Sequence, residues 1–130
     1  MILVDASVII DFWKSHREEY ADVLRQPGVH MCGVTLAELM HGALNQQDCD
    51  DIERKVGRFI RLGIRDEDWA ALGRNLYALR KAGIQVSFPD AILATVAVGH
   101  DMELWTLDGH FQDMQEVLKD LRLYQGPAGI

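Results

Sequence analysis

Short apolar runs separated by long helical stretches constrain this chain more than any other feature. Met1–Val4 (MILV) and Val29–Cys32 (VHMC) read as buried strands, with Glu103–Thr106 (ELWT) and Leu121–Tyr124 (LRLY) as later ones. Gly63-Ile64-Arg65 is a further short candidate. The intervals between these runs are too long for hairpins and carry helical patterns, so the strands must be joined by crossovers. The expected fold is α/β, a parallel sheet covered by helices on both faces.

The helical stretches carry their own punctuation. Ser7 is a fair N-cap for a helix from Val8, which His16–Gln26 continues until the breaker pair Pro27-Gly28. Thr35-Leu-Ala-Glu38 has the T-x-x-E capping-box pattern and opens a helix that ends near Gly42–Asn45. Asp48–Leu62 places acids first and Arg/Lys later, the order a helix dipole favours. Asp66–Ala82 reads as a long amphipathic helix closed by Gly83. Ser87 caps the next helix, with Asp90 at its third position and the small-residue stretch Leu93–Val98 packed on the sheet. Gly126–Ile130 reads as a frayed tail.

A chain of 130 residues fits one domain, spanning 1–130. No apolar run approaches the ~18 residues that cross a bilayer, and Asp5 interrupts the only candidate for a leader. A cytoplasmic protein is expected. Cys32 and Cys49 lack C-x-x-C spacing and read as reduced thiols. The formal charge of −7 argues mildly against non-specific nucleic-acid binding.

The acids carry the chemistry. Asp5 is set into the most apolar stretch near the start, where a carboxylate costs free energy unless something pairs with it. Ligands of open parallel sheets sit beyond the carboxyl ends of the strands, near the point where strand order reverses. Asp5 and Asp108 fall at such ends, and Glu38 and Asp90 in the first turn of helices that follow. Each also has a purely structural role open to it: a capping box for Glu38, a favourable dipole for Asp90, an Asp-Gly turn for Asp108. Sequence alone leaves their convergence open. If they do converge, two carboxylates ~4 Å apart repel by about 4 kcal/mol at an effective dielectric of ~20. Such a set needs a cation, and hard oxygen donors suit Mg²⁺ or Mn²⁺.

Four blocks, VDASVIID, TLAELMHG, FPDAILATVA and LWTLDGHF, resemble in order and spacing the signature blocks of PIN-domain proteins, across nearly the whole chain. Size and build look most like the VapC-type endoribonuclease toxins of toxin–antitoxin pairs. The resemblance implies a five-stranded parallel sheet and a metal-binding catalytic site made by Asp5, Glu38, Asp90 and Asp108. It also implies supporting hydroxyls at Ser7 and Thr106. The activity implied is Mg²⁺- or Mn²⁺-dependent hydrolysis of RNA phosphodiesters by a toxin held inactive by a small antitoxin. Ala6 stands where the family often has Thr. Trp105 is larger than the usual residue there and is expected to alter the mouth of the site.

Secondary features fill out the picture. Arg54, Lys55, Arg58, Arg61 and Arg65 recur at mostly three- and four-residue spacing, so they can form a basic stripe that tracks RNA, or a solvated face balanced by neighbouring acids. Trp69, Leu72, Leu76 and Leu79 read as core or dimer interface, and a homodimer is expected. Phe12, Trp13, Tyr20, Leu39 and Met40 lie on helices that offer an antitoxin a groove. His110 reads as a surface residue within reach of a phosphate. Two rival readings are a flavodoxin-like Mg²⁺-binding phosphoacceptor and an inactive PIN-like binding module. The first needs a Lys on a late loop, and none lies between Lys81 and Lys119. The second should have lost an acid, and all four are present.

Overall fold

The computed structural model describes residues 1–127, so the end of the expected tail lies outside the described residues. Its strands are β1 (Ile2–Val4), β2 (Val29–Cys32), β3 (Ile60–Leu62), β4 (Glu103–Trp105) and β5 (Arg122–Leu123). All pair in parallel, in the order β3-β2-β1-β4-β5. Strand order therefore reverses between β1 and β4, which makes the carboxyl ends of these two strands the ligand-facing edge. Flavodoxin-like domains run 2-1-3-4-5 instead, so the phosphoacceptor reading loses its fold.

Seven helices lie among the described residues: α1 (Ala6–Ser15), α2 (Glu18–Leu24), α3 (Gly33–His41), α4 (Gln46–Val56), α5 (Asp68–Lys81), α6 (Phe88–Gly99) and α7 (His110–Gln115). Alternation along the strands divides the core. Ile2, Val4, Val29, Met31 and Trp105 pack with residues of α1 to α4 such as Val8, Tyr20, Leu39 and Ile52. Leu3, Cys32, Leu104 and Leu123 pack on the other face with residues of α5, α6 and α7 such as Leu79, Leu93 and Phe111. Both faces are covered, which is why strands this short carry so little polar sequence.

Several boundaries differ from the sequence reading. Asp5, rather than Ser7, caps α1, its carboxylate accepting from the Ala6 N–H at 2.8 Å. The expected continuation to Gln26 breaks at His16, whose φ of 54° ends α1 in the left-handed region. Helix α3 starts at Gly33, so Thr35 lies inside it and no capping box forms; its buried hydroxyl makes no hydrogen bond. Helix α4 stops at Val56, and the strand that follows is Ile60–Leu62 instead of Gly63-Ile64-Arg65. That edge strand is mostly exposed and pairs on one side only, so it has no alternation to read. The expectations at Ser87 and Gly83 hold: Ser87 Oγ accepts from the Asp90 N–H, and Gly83 ends α5 with φ 78°. Trp105 is fully buried, edge-on to Tyr20 and Tyr124 at 5.8 and 5.4 Å, and does not line the mouth of the site.

Candidate active site

Asp5 leaves β1 at the reversal point, where its N–H extends the ladder by donating to the Trp105 carbonyl at 2.9 Å. The residue is only 7% exposed, and both of its carboxylate oxygens accept hydrogen bonds. Oδ1 accepts from Ala6 N; Oδ2 accepts from the Ser7 hydroxyl at 2.8 Å and the Thr106 hydroxyl at 2.7 Å. Both hydroxyls are fixed in turn. The Leu107 N–H donates to Ser7 Oγ at 3.0 Å, and the Asp108 N–H donates to Thr106 Oγ1 at 3.0 Å. One network thus joins the ends of β1 and β4 and sets the backbone that carries Asp108.

The other acids reach the same edge from separate elements. Glu38 stands on α3 with solvent on one side, and half-buried Asp90 sits in the first turn of α6. Partial desolvation raises the Glu38 carboxyl above the usual range, helped by the charges of Asp5 and Asp90; solvent screens part of this. Asp90 is raised by desolvation first, then by Asp5 and Asp108, against smaller opposing effects from Ser87 and His110. These couplings bring the four acids of the sequence reading into one electrostatic group. Asp90, Asp108 and His110 are closest, each offering a ligand atom within 4.8 Å of the other two. His110 Nδ1 lies 3.1 Å from Asp108 Oδ1, and with Gln85, Val86, Ser87 and Asp90 His110 lines a cavity of about 310 Å³. Its place in this group was not evident from sequence; the only signal was its spacing, two residues beyond an acid at a strand end.

Among the described residues, no Lys or Arg lies within ion-pairing distance of these four acids; the pairs that form are elsewhere. A group of carboxylate oxygens with no Lys or Arg in ion-pairing range fits a hard divalent ion. The expected basic stripe is not one helical face, because α4 ends before Arg58. Arg54 pairs with Asp51, Lys55 lies over the Trp13 ring, Arg58 lies over Phe59, and Arg61 is on β3. Arg65 is committed to Asp68, which it grips through Nε and Nη2, and to the Gly99 carbonyl. Of the expected groove residues, Tyr20 and Leu39 are core, while Phe12, Trp13 and Met40 are half-buried at its edge.

A parallel sheet of this order, with carboxylates gathered where the order reverses, defines an α/β domain built around an acidic ligand site. Residues 2–117 match the PIN domain, and the chain belongs to that family. Its structural neighbours include VapBC toxin–antitoxin structures. VapBC2 from Rickettsia felis, solved with a DNA fragment from its promoter, superposes with a TM-score of 0.80 at 16% identity over 95% of this chain and 98% of that one. VapBC-1 from nontypeable Haemophilus influenzae gives 0.78 at 25% identity, covering 95% and 97%. Mycobacterium tuberculosis VapC20, a sarcin-ricin loop cleaving toxin, gives 0.67 at 14%, covering 87% and 94%. A search of curated proteins finds no significant match.

Proposed function

We propose that this chain is a cytoplasmic, Mg²⁺- or Mn²⁺-dependent endoribonuclease, the toxin of a toxin–antitoxin pair, acting as a homodimer. The observation that carries the reading is the cluster of Asp90, Asp108 and His110, coupled electrostatically to Asp5 and Glu38 and without a Lys or Arg ion-pair partner among the described residues. Family membership and the likeness to VapC20, a sarcin-ricin loop cleaving toxin, support it.

Asp5, Glu38, Asp90 and Asp108 would hold the ion, with His110 beside them. When bound, a divalent ion lowers the pKa of a water and offsets charge on phosphoryl oxygens during in-line attack. Ser7 and Thr106 hold the Asp5 carboxylate in one orientation through the two bonds to Oδ2. Ser87 fixes the first turn of α6 and with it Asp90. His110, exposed beside Asp108, is placed to donate to a phosphate oxygen. The antitoxin would cover the half-buried Phe12, Trp13 and Met40 and bring a basic side chain to the acids.

The test is cleavage of RNA by the purified chain. Activity should vanish in EDTA, return with Mg²⁺ or Mn²⁺, and be suppressed by co-purification with the antitoxin. A chain that binds RNA but never cuts it, with all four acids intact, is the inactive binding module instead.

A further inference from the structure

His110 is held where a nitrogen donor is useful. It opens α7, and the next residue, Phe111, is fully buried together with Met114, which anchors the helix in the core. The His110 N–H donates to Asp108 Oδ1 at 2.9 Å, and the ring Nδ1 lies 3.1 Å from the same oxygen. Asp108 is fixed in turn through its own N–H, which donates to Thr106 Oγ1. The His110 side chain is 74% exposed, so burial does not account for its position.

The distances are those of a ligand set. Bonds of about 2.1 Å place adjacent donors of an octahedral ion about 3.0 Å apart and opposite donors about 4.2 Å apart. The separation of His110 Nδ1 from Asp108 Oδ1 matches the first value. One donor atom each from Asp90, Asp108 and His110 lie within 4.8 Å of one another, a span little wider than the second. An ion among them would replace the repulsion between Asp90 and Asp108 with attraction to both. The cavity of about 310 Å³ that Asp90 and His110 line has room for roughly ten waters, so an ion there can keep part of its hydration shell. A contact with Asp108 alone is the plainer role for His110, and it gives no reason for Asp90, from α6, to join the same group.

We infer that His110 is a nitrogen ligand of the divalent ion, binding through Nδ1 beside Asp90 and Asp108, and that it tilts the site from Mg²⁺ toward Mn²⁺ and Co²⁺. In the metal-free chain Nδ1–H donates to Asp108 Oδ1. An ion takes the place of that proton, because a ligating imidazole nitrogen must be deprotonated. Nε2–H then stays free to face a phosphate oxygen. The consequence is selectivity. Carboxylate and water oxygens suit Mg²⁺, whereas imidazole favours transition ions, with affinity at mixed nitrogen and oxygen sites rising from Mn²⁺ to Co²⁺. A set of Asp and Glu alone would discriminate less.

The inference rests on the metal-dependent reading, so the test separates the two. Calorimetric titration of the full chain with Mg²⁺, Mn²⁺ and Co²⁺, without RNA, should give affinities that rise in that order. His110→Gln keeps an oxygen donor and removes the imidazole. It should weaken Co²⁺ and Mn²⁺ binding by at least about tenfold and Mg²⁺ binding by less than about threefold. Pulsed electron paramagnetic resonance of the Mn²⁺-loaded parent should show a histidine nitrogen coupled to the ion, and His110→Gln should lose that coupling. A parent that binds none of the three ions overturns the metal reading itself, and the ligand role with it. Binding that Asp90→Asn weakens and His110→Gln leaves unchanged overturns the His110 ligand alone, as does a Mn²⁺-loaded parent without nitrogen coupling. The ligand role also falls if His110→Gln binds every ion like the parent and differs only in a raised KM for RNA.

Discussion

Thr106 donates its hydroxyl hydrogen to Asp5 Oδ2 at 2.7 Å, joining two residues 101 positions apart across the reversal point of the sheet. Thr106 is itself 1% exposed and accepts from the Asp108 N–H, so one hydroxyl orients one acid and the backbone of another. Thr106→Val keeps the shape and removes both bonds. It should lower stability by about 1–3 kcal/mol, the cost of leaving buried partners unsatisfied. Cleavage should fall by roughly 10–100-fold, as for other groups that orient metal ligands. Thr106→Ser should recover most of both. Thermal melts and initial rates on the three proteins decide it, and a Val variant with parental rates would remove Thr106 from the site.

The raised Asp90 and Glu38 carboxyls have a definite consequence for the metal-free protein. A carboxyl whose folded value lies above its unfolded one keeps its proton longer in the fold. Its contribution to stability therefore falls as pH rises from about 4 through the raised folded value. Asp90→Asn takes one charge out of the group and keeps the backbone bond to Ser87. Without metal, this variant should melt higher than the parent at pH 7, and the gap should close toward pH 4. Mn²⁺ should raise the parent's melting temperature by mass action and the variant's much less. A variant that melts lower at both pH values would show that Asp90 is held by favourable contacts instead of repulsion.

Asp68 works in the opposite direction. Arg65 and the Arg65 N–H hold its carboxyl below the usual range, and the residue is 5% exposed at the start of α5. A depressed folded value gives stability that is present above about pH 3.9, the unfolded value, and lost as pH falls through the folded one. Asp68→Asn should therefore lower the melting temperature at pH 7 and flatten the acid limb, with cleavage at pH 7 retained below the new midpoint. Equal acid limbs in the two proteins would remove the pair from the stability account.

What could be read from the chain follows from where its signals are local. The parallel sheet was legible because both faces are covered, which leaves Ile2–Val4 and Val29–Cys32 as dense apolar runs. Strand β3 was misplaced by a few residues because its side chains are exposed and its only partner is β2. The four acids could be picked out by position relative to strand ends. The clamp on Asp5 is reachable only through the family resemblance, which implies supporting hydroxyls at Ser7 and Thr106; they meet only after the chain has crossed the sheet, and local pattern alone reads Ser7 as a helix cap. Trp105 was misjudged for a related reason: its neighbours Tyr20 and Tyr124 come from opposite ends of the chain.

The proposed chemistry would leave a signature on the RNA ends. In the proposed reaction the nucleophile is a water activated by the ion that the acids would hold, so the RNA 2′-hydroxyl takes no part in the attack. Water-mediated hydrolysis should therefore leave 5′-phosphate and 3′-hydroxyl ends, which end-labelling and phosphatase sensitivity distinguish from cyclic phosphates. Asp5→Asn and Asp90→Ala should each cut the rate by at least about 10³-fold, in the range of losing a metal-based step. Asp90→Ala should not lower the melt, because it also takes a charge out of the group and the half-buried residue fills no core volume. Leu93→Ala provides the contrast: 1% exposed in the core under α6, it should lose about 2–5 kcal/mol of stability while the folded fraction keeps cutting. Asp50→Ala, an exposed acid on α4, should change neither quantity. Cyclic phosphate ends, or a parental rate from Asp90→Ala, would overturn the mechanism whatever the fold.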